Sequence, residues 1–334
     1  GWNDAVNTRN IDLLGTALEA MYLLCHLQGR LEDGKALFDR ATLTLAPAAG
    51  EQPHPIWLAL GVRFYAFPAS PSMLQERLVF SLTQARQRDD QLEAAYCLNT
   101  LATLEHYVLQ HPSLAIAQYE ESAAIYRDLG EQYYLAQTLS KLGEAYHLLG
   151  QITHTQPHIN EALQLQRKIG DQMGEADTLR ALGMTSYLAG DYETCIDLLG
   201  QQIQISRRTN NRVGIASGNL FLGWMFSSRG EFAQALVLLD HALETALDVV
   251  DYSTQAWAYT FLAFINSVKG KNADAKAYLT QAEVIETDPF KQTGAGNPFL
   301  HWQMAFGRAF LDCNLANYDH ARATLRQSLQ MSIQ

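Results

Sequence analysis

The sequence predicts an all-α fold, a solenoid of about eight helix-turn-helix repeats. Three observations carry this. Gly150, Gly190, Gly230 and Gly270 recur at an interval of forty residues. Seven residues before each stands the second member of a pair: Leu142-Gly143, Leu182-Gly183, Leu222-Gly223 and Leu262-Ala263. Gly130 and Gly170 mark a second boundary with the same period. Phased self-similarity of this kind is the signature of stacked units, each of which buries its apolar face against its neighbours.

Within a unit, the first helix shows apolar residues at i, i+3 and i+4 around its small pair. The turn glycine ends that helix, as a C′ position needing positive φ requires. The second helix carries Ala235, Leu239 and Ala242 in one repeat and Ala275, Leu279 and Ala282 in the next, all on one face. A glycine inside a helix costs up to ~1 kcal/mol relative to alanine. Its recurrence at one phase predicts that neighbouring helices cross there, too close for a larger side chain.

Extending the phase gives repeats at 11–45, 55–88, 91–130, 131–170, 171–210, 211–250, 251–288 and 297–334, read as a single domain over 1–334. The first has Gly29 as its turn, with Phe38 and Ala41 in its second helix. The second has Leu60-Gly61 at the crossing, and the third has Leu101-Ala102 followed by Ala115, Tyr119 and Ser122. The eighth has Phe306-Gly307, Phe310, Tyr318, Ala321 and Leu325. The first, second and eighth are degenerate. Ala46–Pro55, Phe67–Pro71 and Thr287–Pro298 are rich in Pro and Gly and read as loops.

Composition narrows the function. There are 24 Lys plus Arg against 35 Asp plus Glu, a net charge of −11. That balance argues against direct nucleic-acid binding or an anionic membrane surface, both of which need a basic stripe. No apolar run approaches the ~18 residues of a membrane span. Cys25, Cys97, Cys195 and Cys313 are isolated, without a CxxC, and read as buried thiols of a cytoplasmic protein. Charged residues make up only 18% of the chain, below the ~25% of ordinary soluble domains. The deficit suggests a surface that something else covers.

Motifs for chemistry fail on inspection. Gly29–Lys35, GRLEDGK, has most of a phosphate-binding loop, but Ala36 replaces the Ser or Thr that would hold magnesium. His154 and His158 have a metal-compatible spacing, yet no Asp, Glu or Cys completes a ligand set, so they read as a solvent-exposed pair. His106 and His111 receive the same reading. Glu120-Glu121 read as a solvated face. No nucleophile elbow or dinucleotide fingerprint occurs. The expectation is a protein that is not an enzyme, with no metal and no cofactor.

The pattern resembles the tetratricopeptide repeat. The carrying residues are Leu142, Gly143, Tyr146, Gly150 and Ala162, and then Leu222, Gly223, Phe226, Gly230, Phe232, Ala235, Leu239 and Ala242. Thr155 and Cys195 depart from the alanine that usually opens the second helix's packing. The period is forty rather than the commoner thirty-four, so each helix should be about a turn longer. The resemblance implies a right-handed α-solenoid with a concave groove lined by first helices, near positions 2, 5, 9 and 12 of each repeat. Carried onto this chain, that phase selects Tyr96, Asn99, Thr103 and His106, then Gln137, Ser140, Glu144 and His147. It continues with Asp177, Arg180, Met184 and Tyr187, then Ser217, Leu220, Trp224 and Ser227. Trp257, Thr260, Phe264 and Ser267 follow, and the eighth repeat adds His301, Met304 and Arg308.

Tyr187, Trp224, Trp257, Phe264 and Met184 concentrate apolar surface on this wall, with Asp177, Arg180 and Glu144 as polar neighbours. A wall of that composition suits a peptide, a protein or a small uncharged metabolite. The same rings also serve simple helix packing, and the sequence leaves both readings open. A clamp for acidic termini needs several Lys, Arg and Asn, and this phase offers only Arg180, Arg308 and Asn99.

The forty-residue unit looks like the repeats of kinesin light chains and, more closely, the sensor arms of bacterial STAND-type regulators that include the maltose regulator. Ile169–Ala176, IGDQMGEA, followed by Leu179 and Leu182-Gly183, carries that likeness. Trp2, Leu14, Leu18 and Gly29-Arg30-Leu31 resemble a first repeat that follows an ATPase module. The abrupt start and a last helix with Leu325, Leu329 and Ile333 lead us to expect a fragment. The resemblance implies a ligand- or protein-binding sensor in signal transduction and transcription regulation, with parent ATPase and effector domains as partners. The alternative is a stand-alone adaptor or peptide-pheromone receptor.

Overall fold

The computed structural model describes residues 1–27, 31–48, 51, 54–64, 71–109, 111–287 and 298–331. Among them are seventeen α-helices and no strand, and consecutive helices pack in pairs as an α-solenoid of the expected repeat type. The chain divides into two compact units, Gly1–Gln151 and Ile152–Gln334.

The first unit holds α1 (Trp2–Asn7), α2 (Ile11–Leu27), α3 (Leu31–Thr44), α4 (Pro55–Phe64), α5 (Pro71–Gln87), α6 (Gln91–Tyr107), α7 (Pro112–Leu129) and α8 (Gln132–Leu148). Helix α1 is an addition to the repeat pattern. Trp2 lies against Phe38 with centroids 5.4 Å apart, and Leu14, Leu18, Ala41 and Leu60 complete that core. A second core gathers Leu78, Leu82, Ala94, Cys97 and Leu101. The GRLEDGK segment follows helix α2 rather than a strand. Its Gly29 turn lies outside the described residues, as do residues 49–50, 52–53, 67–70 and 288–297 of the three loops and Ile333 of the last helix.

The second unit holds α9 (Ile152–Ile169), α10 (Gln172–Leu188), α11 (Tyr192–Arg208), α12 (Arg212–Ser228), α13 (Phe232–Asp248), α14 (Tyr252–Val268), α15 (Asn272–Thr287), α16 (Pro298–Asn314) and α17 (Tyr318–Met331). Local chemistry sets these boundaries. Asp171, Asn211 and Asp251 cap α10, α12 and α14 by accepting the backbone N–H of Gly174, Gly214 and Thr254 at 2.9, 2.9 and 3.1 Å. At the other end Gly230 has φ 78°. Its N–H donates to Ser227 and that of Glu231 to Phe226, at 3.0 and 2.9 Å, which satisfies the last carbonyls of α12. Asn210 and Val250 occupy the same turn phase as Gly130 and Gly170, with φ 54° and 57°.

The close crossing holds in the middle of the array. A Cβ built on Gly223 would stand 2.7 Å from Leu239 Cγ, and one on Gly183 would stand 3.0 Å from Leu199 Cγ. It does not hold at the degenerate repeats. At Gly307 the nearest atom, on Leu279, is 3.7 Å away, and at Gly61 it is 3.9 Å away on Arg77. Two further expectations are corrected. Cys313 is exposed while the other three cysteines are buried. His106 is only 3% exposed, whereas it was expected in solvent, because its ring stacks on Tyr107 at 4.1 Å and meets Tyr119 edge-on.

Candidate ligand-binding wall

Of the twelve residues selected from the sequence, Tyr96, Asn99, Glu144 and His147 lie in the first unit and the other eight in the second. In the second unit, Asp177, Arg180, Met184 and Tyr187 share one face of α10, being three, four and three residues apart. Trp224 stands on α12, Trp257 and Phe264 on α14, and Arg308 on α16.

The rings form a row. Tyr187 and Trp224 have centroids 5.0 Å apart, Trp224 stacks on Phe261 at 5.8 Å, and Phe261 stacks on Trp257 at 5.7 Å. Phe264 meets Phe306 and Phe310 on α16, each at 5.9 Å. Tyr187, Trp224, Trp257 and Phe264 are half-buried, while Phe261 is buried beneath them. Each exposed ring therefore rests on another ring or on the core of Leu220, Leu239 and Leu262. Phe261 escaped the sequence reading because the transferred phase skips its position. Leu220, Ser227, Thr260, Ser267 and Met304, which that phase selects, are buried instead.

Polar groups border the row. The Arg180 guanidinium sits 5.5 Å over the Phe221 ring, a contact worth about 0.5–1 kcal/mol at an exposed site. Arg308 pairs with Glu283. Asp177 is exposed. This arrangement offers flat apolar faces with charge at the margin, which suits binding of apolar groups.

The first unit is more polar than the sequence suggested. Asn99 Nδ2 donates to the Thr138 hydroxyl. Lys141 Nζ donates to Thr103 Oγ1 at 3.2 Å and to Asn99 Oδ1 at 3.4 Å. Tyr107 donates to Glu144 Oε2 at 2.7 Å. Lys141 lies one residue off the transferred phase, which is why it was missed. His147 is half-buried, and burial pushes its imidazole below the ordinary histidine range despite the opposing field of Glu144. Tyr96 is 7% exposed and lies under the Arg63 guanidinium, 4.2 Å from its centroid, so it presents little surface to a ligand.

The sequence model of the tetratricopeptide repeat family matches residues 134–208. That segment is a run of tetratricopeptide repeats. No curated protein matches the chain significantly. Among solved structures, a Rap protein complexed with competence and sporulation factor aligns with a TM-score of 0.67 and 15% identity, over 96% of this chain and 98% of that one. Aspartyl phosphate phosphatase F from Bacillus subtilis aligns with a TM-score of 0.58 and 13% identity, over 93% and 92%. A Signal Transduction ATPase with Numerous Domains, bearing a tetratricopeptide repeat sensor, from Pyrococcus horikoshii aligns with a TM-score of 0.52 and 13% identity, over 90% of this chain. This chain spans about half (53%) of that protein's length. At these identities the likeness is one of fold. Among the described residues, no helix is long and apolar enough to cross a membrane.

Proposed function

We propose that this chain is a non-enzymatic binding module, and that its second unit receives a peptide, a protein segment or an uncharged metabolite on the wall of Tyr187, Trp224, Trp257 and Phe264. The observation that supports the reading most is the aromatic row from α10 to α14, in which half-buried Tyr187, Trp224 and Trp257 are joined through buried Phe261. Rings needed only for packing gain most by full burial, as Phe261 does at 4% exposure. Rings held half out on a rigid base are pre-organised for a ligand and lose little side-chain freedom when one binds. In the first unit, Asn99, Glu144 and His147 add a separate polar face.

In this reading the chain is the cytoplasmic sensor arm of a STAND-type regulator, attached to parent ATPase and effector domains. Ligand binding acts there by favouring one of two states of the parent, to the extent that its affinities for the two differ. A stand-alone adaptor or peptide receptor is the second reading. It draws support from the alignment with nearly the whole of a Rap protein whose structure contains competence and sporulation factor, against about half of the STAND protein.

A thermal-shift screen of the chain against apolar peptides, neutral sugars and metabolites tests the binding role, since a ligand of the native state raises stability by mass action. Stabilisation by metabolites favours the sensor, and stabilisation by peptides alone favours the receptor. A chain that no member of either set stabilises would count against both.

A further inference from the structure

In a one-dimensional repeat array each unit contacts only its neighbours. The first unit breaks that rule. Tyr134, on the first helix of the fourth repeat (α8), donates its hydroxyl to Glu19 on the first helix of the first repeat (α2), 115 residues away. The same Glu19 carboxylate accepts from Arg63 Nε at 2.9 Å, and Arg63 Nη1 donates to Glu93 Oε2 at 3.0 Å. Glu19, Arg63, Glu93 and Tyr134 thus join α2, α4, α6 and α8 in an unbroken chain of polar contacts.

A second set of contacts runs parallel to it. Tyr22 of α2 meets Tyr96 of α6 edge-on at 6.1 Å, and Tyr96 meets Tyr134 in the same way at 6.1 Å. Tyr134 in turn stacks on Tyr126 of α7 at 5.3 Å. Arg63 is 6% exposed and Glu93 8%, so water screens these charges poorly. Burial works against the Arg63 charge, and Glu93, with Tyr96 and Glu19 behind it, more than restores it. Such a network, buried at Arg63 and Glu93 and 35% exposed at Glu19, often adds little net stability over apolar packing, and in some proteins its role is to select one arrangement.

We propose that Tyr134, Glu19 and Arg63 form a latch that makes the first-helix face of the first unit open and close as one block rather than repeat by repeat. Arg63 holds Glu19 in place, and the Tyr134 hydroxyl closes the loop between the first and fourth repeats. Glu93, in the first turn of α6, anchors the far side, where the helix N-terminus favours a carboxylate.

Hydrogen exchange read by mass spectrometry on the full chain tests this. In the unsubstituted protein, amides of α2 and α8 should exchange at matching rates. Tyr134→Phe keeps the ring contacts and removes only the hydroxyl. It should speed α2 exchange by about tenfold or more, tenfold being the low end of the scale for losing a hydrogen bond to a charged group, while α6 and α7 stay unchanged. Glu19→Gln, which also loses the Arg63 ion pair, should speed α2 exchange at least as much, and adding Tyr134→Phe to it should change nothing further. Unchanged α2 exchange in Tyr134→Phe would overturn the latch. So would equal acceleration across the whole unit, or additive effects of the two substitutions.

Discussion

Tyr187 and Trp224, on consecutive first helices, stand 5.0 Å apart with their planes inclined by 49°. Each ring braces the other, and Trp224 also stacks on buried Phe261. Support of the wall and the proposed contact with a ligand therefore fall on the same side chains. Trp224→Ala should leave helix content unchanged at 25 °C but lower the unfolding free energy by about 2–3 kcal/mol, less than the loss of a fully buried tryptophan. Circular dichroism with urea unfolding checks both halves. For binding work Trp224→Leu is the better variant, because it keeps apolar volume and removes the flat face.

The two kinds of mid-helix glycine should respond oppositely to a methyl group. Gly223→Ala drives Cβ to 2.7 Å from Leu239 Cγ, an overpacking that costs about 1–3 kcal/mol. Gly307→Ala meets Leu279 at an ordinary 3.7 Å, so it should gain up to about 1 kcal/mol from helix propensity. Urea midpoints of the two variants give the comparison directly.

Val250 should respond in the opposite sense from its glycine counterparts. It holds φ 57° at a turn where Gly130 and Gly170 hold 75°, and a left-handed conformation costs a residue with Cβ roughly 1–2 kcal/mol. Its side chain is 58% exposed, so little packing is lost on removing it. Val250→Gly should raise stability by about 1 kcal/mol, net of the added freedom of the unfolded chain, while Gly170→Val should lower it. Thermal midpoints check both.

Acid should weaken the first unit through His106. The ring is buried, neither nitrogen has a hydrogen-bond partner among the described residues, and burial, with Lys141 adding to it against Glu144, pushes its pKa below 6.5. The unfolded chain takes up a proton near pH 6.5, the folded chain only at lower pH. Stability from this group is thus complete above pH 6.5 and is lost as pH falls below that value. His147 is shifted in the same direction, so it adds to the same loss. Unfolding curves from pH 7.5 to 5 should show the decline, and His106→Phe should flatten it.

How much of this was legible in sequence follows from the kind of physics involved. The forty-residue period was readable because turn geometry and close helix crossing restrict residue type, as at Gly230 and Gly223. Helix α1 was not, since its six residues fall outside the period. Gly218 also escaped notice, although a Cβ there would come within 2.5 Å of Ile203 Cγ1, because it has no counterpart at the same phase. The wall was readable as a set of aromatic residues, but not as a stack. Which rings rest on Phe261 depends on the rotation of each helix, and a one-residue offset turns a helical side chain by about 100°. The same offset hid Lys141. The link from Tyr134 to Glu19 spans 115 residues, and no local pattern encodes a contact at that distance.

Fluorine NMR of the chain labelled with 5-fluorotryptophan tests the wall most directly. The five tryptophans give separate probes, and single Trp→Phe substitutions assign the signals of Trp224 and Trp257. On titration with a peptide or metabolite that raises the melting temperature, the signals of Trp224 and Trp257 should move while those of Trp2 and Trp57 in the first unit stay fixed. Movement of Trp2 or Trp57, with Trp224 and Trp257 unshifted at saturation, would contradict the account.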